Sequence, residues 1–477
     1  MSRCHISFVY AKSNYALGRN GWADVWLYPD TFRAMALFTK KPRFVKSLEP
    51  TAWPYEDDAT GGPSPAGKAQ PSVDICVVGG AGHVGLPLSI VFAAQKQRVL
   101  IYDVNQSSMD VIRSGRMPFM EQNAEPLLKN ALSKGLLAFT NRAEHVAGAK
   151  TVVLTIGTPV DEFLTPSLRV VTRCFDELLP YLSEDQLIVI RSTVYPGVTE
   201  TLAKYVQSKG KRLKLAFCPE RIVEGRAVEE LQTLPQIVSG TTPEAEEEAA
   251  QLFLLIAPEV VRLAPMEAEL VKMFSNAYRY IQFAVTNQFY MIASAAKVDY
   301  YRILEGMKRD YPRSKDFPNA GLTAGPCLFK DTMQLASFYR NQFGLGFQAM
   351  LVNEGLPQFI VDQLDAGYPL EQMTVGLLGM AFKAESDDAR FSLSYKLKKI
   401  LTVRAKTVLT TDPYVRNDPS LLPLEEVLRR SNVLILCAPH RAYRDLKLNH
   451  EVIVDIWNFW GKGSLITREC VAAGDSR

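Results

Sequence analysis

Cys327 is the residue whose setting most invites chemistry. It follows the glycine-rich run Gly321-Leu322-Thr323-Ala324-Gly325-Pro326 and opens what reads as a helix. There the helix dipole and free amides would stabilise a thiolate. Asp331 lies four residues on, one helical turn away on the same face, where it could hold a water or take a proton near the sulfur. Lys272 and Asn276 form a second pair four apart, and an ammonium beside an amide suits an oxyanion that develops during reaction. A third cluster, Cys218-Pro219-Glu220-Arg221-Ile222-Val223-Glu224-Gly225, offers two carboxylates that could act on a water. Each has a plainer reading when taken alone. A cysteine is usually a small buried hydrophobe, and a lysine on an apolar helix usually snorkels to solvent.

A cofactor site is written nearer the start. Gly80-Ala81-Gly82-His83-Val84-Gly85 directly follows an apolar run and opens a helical one, the context that a dinucleotide fingerprint requires. Gly80 permits the tight turn, Gly82 lets the backbone approach a pyrophosphate, and Gly85 lets the helix pack close to the sheet. Asp103 ends the next strand, where a carboxylate can accept from the adenosine ribose and repel a 2′-phosphate, so the expected cofactor is NAD. The loops Gly157-Thr158-Pro159 and Ser192-Thr193-Val194-Tyr195-Pro196-Gly197 also follow strand ends and would line the same crevice, or serve only as turns.

The elements that must position these groups show in the apolar rhythm. Runs at Asp74–Gly79, Val99–Tyr102, Thr151–Thr155, Leu187–Ile190, Leu213–Ala216 and Gln236–Ser239 alternate with helical segments, as buried parallel strands do. From about 265 to 310 an apolar and aromatic stretch reads as one long helix. The alternation then returns at Thr374–Gly379, Lys406–Thr410, Asn432–Cys437 and Val452–Asp455. The fold expected is α/β, with two doubly wound Rossmann-like domains joined by a long central helix. The divisions fall at 1–70, a poorly ordered extension; 71–263, a dinucleotide-binding domain; 264–370, a central helical domain carrying the cysteine; and 371–477, a second α/β domain. With 54 basic and 51 acidic residues, the balance indicates neither nucleic acid nor an anionic membrane as partner. Seven scattered cysteines without a C-x-x-C pair indicate free thiols and no structural metal, and the chain reads as cytoplasmic.

At these residues the chain resembles the UDP-glucose/GDP-mannose dehydrogenase family from roughly Val73 to Trp460. The glycine loop, Ser192-Thr193-Val194-x-Pro196-Gly197, Pro219-Glu220-x-x-x-Glu224-Gly225, Lys272-x-x-x-Asn276 and Gly325-x-Cys327-Leu328-x-Lys330-Asp331 match in the family's order. Gly379-Met380-Ala381-Phe382-Lys383, followed by Ser386-Asp387-Asp388-Ala389-Arg390, is a sixth match. The resemblance implies a four-electron oxidation of a UDP-sugar C6 alcohol to the uronic acid, with NAD as acceptor and Cys327 carrying a thiohemiacetal and then a thioester. It implies that Lys272 and Asn276 stabilise oxyanions, that Asp331 supports proton transfer, and that Thr193, Glu220 and Glu224 position water or substrate. It assigns Gly80, Gly82, His83, Val84, Gly85, Asp103, Thr158, Thr193, Glu224, Lys330 and Arg390 to the cofactor. Glu220, Lys272, Asn276, Gly325, Phe382 and Lys383 fall to the substrate, the last domain to the uridine diphosphate, and the long helix to a homodimer or larger homo-oligomer. Trp457 stands where many relatives carry arginine. The alternatives are a GDP-mannose-type or N-acetylated UDP-sugar dehydrogenase, a simple two-electron alcohol dehydrogenase, and a non-catalytic nucleotide-sugar sensor.

Overall fold

Apolar runs become strands here because both faces of each sheet are covered. The computed structural model describes residues 73–158, 168–323 and 325–467; the expected N-terminal extension, Cys4, Cys470 and Pro159 lie outside them. The first domain contains β1 (Val73–Val78), β2 (Val99–Tyr102), β3 (Leu137–Thr140), β4 (Ala149–Leu154), β5 (Leu187–Ile190), β6 (Lys214–Phe217), β7 (Gln236–Gly240) and β8 (Val260–Arg262). They join in the order β3-β2-β1-β4-β5-β6-β7-β8. Along β1, Ile75 and Val77 enter one core with Leu86 and Ile90 of helix α1 (Gly85–Ala94), while Cys76 and Val78 enter the other with Phe175 and Leu202. Two-sided burial therefore replaces polar alternation, and each large apolar side chain so buried contributes about 1.5–3 kcal/mol. Strand order reverses between β1 and β4, which opens a crevice at their carboxyl ends.

The second sheet holds β9 (Thr374–Leu378), β10 (Thr407–Thr411), β11 (Val433–Leu436), β12 (Val452–Val454) and β13 (Leu465–Thr467) in the order β10-β9-β11-β12-β13. Neither sheet is wholly parallel. β7 runs antiparallel to β6 because the chain re-enters the sheet from the edge it has just left, and β13 likewise turns back on β12.

Helix α2 (Pro243–Phe253) covers the first sheet, and the central domain is built on α3 (Pro265–Ala295), α4 (Tyr300–Lys308), α5 (Leu328–Phe338) and α6 (Gly344–Asp365). Helix α7 (Leu393–Thr402) belongs to the second α/β domain. The expected single helix over 265–310 is two. Lys297 adopts φ +57, and the Asp299 carboxylate accepts from Tyr301 N at 2.9 Å to cap a new start, a break that the absence of glycine did not announce. Buried amides lock α3 to its neighbours: Asn287 Nδ2 donates to Asn353 Oδ1 at 3.0 Å, and Asn353 Nδ2 donates to Tyr280 O at 3.0 Å. Among the described residues no helix is long and apolar enough to cross a membrane.

Candidate active site

The glycine loop is tight where the sequence requires it to be. A Cβ on Gly80 would stand 2.7 Å from Val77 O, and one on Gly85 would stand 2.4 Å from Gly79 O, so both positions exclude a side chain. Gly82 meets only Gly79 O at 3.4 Å, which leaves its backbone open to a ligand, and Val84 leads into α1. Asp103 braces this cradle from the next strand: Oδ2 accepts from Ala81 N and Oδ1 from Asn105 N, each at 2.9 Å. A dinucleotide pyrophosphate fits such a cradle.

Cys327 stands at the N-cap of α5 and is exposed as a residue. Its thiol is nevertheless raised above the ordinary value, first by burial among the crevice walls and then by Asp331, against the lowering influence of Lys272 and Lys330. The assembled crevice thus opposes the stabilisation of a thiolate expected from the helix dipole. Asp331 is fully buried, and its Oδ2 accepts from Asn276 Nδ2 at 2.6 Å. Lys330 Nζ lies 3.5 Å from Asp331 Oδ1 and donates to Thr158 O at 3.1 Å, while Thr158 Oγ1 donates to Thr193 O at 2.6 Å. Lys272 is half-buried on α3.

Glu224 faces the same thiol from the first domain. Burial and then the nearby Asp388 carboxylate push its pKa up to about 7, and Oε2 is buried with no hydrogen-bond partner. Arg390 approaches Glu224 at 3.5 Å and pairs with Asp388 at 2.6 Å. Burial pushes Asp388 up, but the bonds from Arg390 outweigh it and leave the carboxyl lowered. His83 stacks on Phe119 with ring centroids 4.1 Å apart and is lowered by burial and by Arg390. Ligating atoms of His83, Glu224 and Asp388 lie within 4.8 Å of one another, yet the Arg390 guanidinium already balances both carboxylates there. Lys383 Nζ donates to Glu224 O, and burial lowers its pKa. Gly325 has φ +112, and a Cβ on it would stand 2.7 Å from the Phe382 ring. Nearby, Tyr280, Thr323, Gly325, Phe329, Tyr395 and Lys399 help line a cavity of about 450 Å³.

Three domains of one family match in order: the UDP-glucose/GDP-mannose dehydrogenase NAD binding domain over residues 73–256, its central domain over 266–354 and its UDP binding domain over 376–462. The chain belongs to that family. A UDP-N-acetyl-D-mannosamine dehydrogenase of Pyrococcus horikoshii is 29% identical over 395 residues, covering 79% of this chain and 93% of that one. An NDP-N-acetyl-D-galactosaminuronic acid dehydrogenase of Ralstonia nicotianae is 26% identical over 405 residues, covering 80% and 95%. The solved structure of a UDP-glucose dehydrogenase from Pyrobaculum islandicum superposes with a TM-score of 0.75 at 27% identity, covering 86% of this chain and 98% of that one.

In this dehydrogenase, then, the cofactor is NAD, and the crevice draws its charged groups from all three matched regions. Glu220 departs from expectation. Its Oε2 accepts from Arg191 Nε at 2.7 Å and from Arg191 Nη2, and its Oε1 accepts from Arg221 N at 2.7 Å and Ile222 N at 2.9 Å. Its acceptor positions are filled within the protein, so it braces this loop. Trp457 packs against Gly321 and donates Nε1 to Cys437 O at 3.1 Å, so it props the loop before Cys327. The sequence reading passed over Arg191, although an arginine ending the apolar run Leu187–Ile190 was signal enough.

Proposed function

We propose that this dehydrogenase carries out the four-electron oxidation of a UDP-sugar C6 alcohol to the uronic acid on Cys327. The observation that supports it most is the convergence of Lys272, Lys330, Asp331, Glu224 and Arg390 on a thiol at a helix N-terminus. NAD, once bound, accepts a hydride in each of two oxidations. The first leaves an aldehyde, to which the Cys327 sulfur adds as its proton departs. Loss of a second hydride from the thiohemiacetal leaves a thioester; water then adds, the carbon–sulfur bond breaks, and the thiol regains a proton.

The residues divide the remaining work. Lys272 and Asn276 stabilise the oxygen that becomes negative, and Asp331, held by Asn276, fixes that pair and receives protons near the sulfur. Glu224, with a free Oε2 and a pKa near neutrality, takes the proton from water or alcohol, and Thr193 orients it. Phe382, Lys383 and Gly325 contact the nucleotide-sugar, and the cavity beside α7 receives its diphosphate end. Phe274, Tyr278, Val285, Phe289 and Ile292 lie exposed along one face of α3, which supports a homodimer built on that helix.

Purified protein given NAD and UDP-glucose, UDP-N-acetyl-D-mannosamine or GDP-mannose should form two NADH per sugar consumed. One NADH per sugar, or full turnover by Cys327→Ala, refutes the reading. The relatives from Pyrococcus and Ralstonia, named for N-acetylated substrates, favour a second reading in which the sugar bears an acetamido group.

A further inference from the structure

The geometry points to Arg191 as a positioning residue that rivets the loop carrying Thr193 to the loop carrying Glu224. Those two residues take their roles from the proposed reaction, on which this assignment rests. Arg191 follows β5 and is 1% exposed, so its charge is carried in the protein interior. Besides its two bonds to Glu220, Nη2 donates to Gln236 Oε1 at 2.9 Å and Nη1 to Cys218 O at 3.3 Å, and the guanidinium lies 4.7 Å over the Phe253 ring of α2. A buried ion pair of this kind is seldom more stabilising than apolar side chains of the same volume. Stability alone therefore gives little reason to keep it, whereas geometry does.

On one side, Ser192 and Thr193 follow Arg191 directly, and Thr193 O holds Thr158, which in turn meets Lys330 of α5. On the other, Glu220 turns its second oxygen onto the amides of Arg221 and Ile222 and so sets the course of the chain to Glu224. The separation of Thr193 from Glu224 is thereby referred to one planar, doubly bonded joint. Lysine could supply the charge but not the fork. Arg191 acts through Glu220 and reaches neither sugar nor cofactor itself.

The test uses full-length Arg191→Met, Arg191→Lys and the double variant Arg191→Met/Glu220→Gln. NADH formation, thermal unfolding and hydrogen exchange at the Ile222–Gly225 amides are followed for each. Arg191→Met should lower kcat per folded molecule about a hundredfold while KM for NAD and sugar stays within about threefold, with lysine intermediate. In the double variant no buried charge is left unpaired, so the unfolding midpoint should recover while kcat stays low and the amides exchange faster. Recovery of kcat along with the midpoint, or unchanged exchange in the double variant, overturns the proposal. Should the wild type form no NADH with any sugar, the reaction itself is refuted, and the exchange rates still decide whether Arg191 holds the loop.

Discussion

The two α/β domains begin with the same turn and put it to different ends. β1 runs into Gly79 at φ +77 and β9 into Gly379 at φ +93. In each, an aspartate at the end of the next strand accepts from the amide two residues beyond that glycine: Asp103 from Ala81 N and Asp412 from Ala381 N, both at 2.9 Å. The first domain then starts α1 at Gly85, so the turn becomes a cradle, whereas the second delays α7 until Leu393 and sends Phe382, Lys383, Asp388 and Arg390 into the crevice. Asp103 stays half-exposed with few partners. The Asp412 side chain is buried, and its carboxylate accepts from Met380, Ala381, Tyr414 and Val415 amides and from His440 Nε2 at 3.2 Å. His440 Nδ1 accepts from Glu385 N, which assigns the ring proton to Nε2. A carboxylate with spare capacity can meet a ligand; one with every partner supplied can only hold the fold.

Four substitutions press on that difference. Gly85→Val drives a side chain into Gly79 O and should weaken NAD binding more than a hundredfold, roughly 3 kcal/mol, in a fluorescence titration; a smaller loss than tenfold would mean that the close approach is not needed. Asp412→Asn should cost about 2.5 kcal/mol in urea unfolding with NAD affinity unchanged. Burial pushes Asp412 up, but His440 and the amides outweigh it and hold the carboxyl at about 2. Its contribution is therefore present above the unfolded value of 3.8 and lost as pH falls through about 2; acid unfolding should lose that step in the variant. Glu224 shifts the opposite way. If its ionised form is the base, kcat should rise with pH through about 7 in the wild type and lose that limb in Glu224→Gln, with kcat down about tenfold to a hundredfold. Smallest, Asp103→Asn should weaken NAD binding several-fold and change stability by less than about 1 kcal/mol; a stability loss matching that of Asp412→Asn would erase the contrast between the two aspartates.

Much of this was legible in the residues. β2 and β5 coincide with their apolar runs because strands buried on both faces carry no polar interruption. β3 (Leu137–Thr140) and the three-residue β8, the two edge strands of the first sheet, went unread. That Lys272 and Asn276 lie one turn apart on α3, and Asp331 one turn beyond Cys327, follows from helical spacing, which sequence displays directly. What Glu220 does could not be read so: spacing placed two carboxylates on one loop, but only packing shows that Arg191 claims the first while Arg390 approaches the second. The raised pKa of the Cys327 thiol was likewise hidden, because the helix dipole and Asp331 are local while the burial that contributes most comes from the assembled crevice.

Met120 N donates to Asp387, Lys383 reaches the Glu224 carbonyl, and Arg390 approaches the Glu224 carboxylate, so the outer domains meet across the crevice through a seam of polar side chains. The proposed reaction consumes two cofactor molecules per sugar and so must let one leave and another enter midway. Such a seam can part at modest cost, and a sugar bonded to sulfur would not drift away while it stands open. Retention would then be the task of a covalent bond, leaving the gate free to be fast.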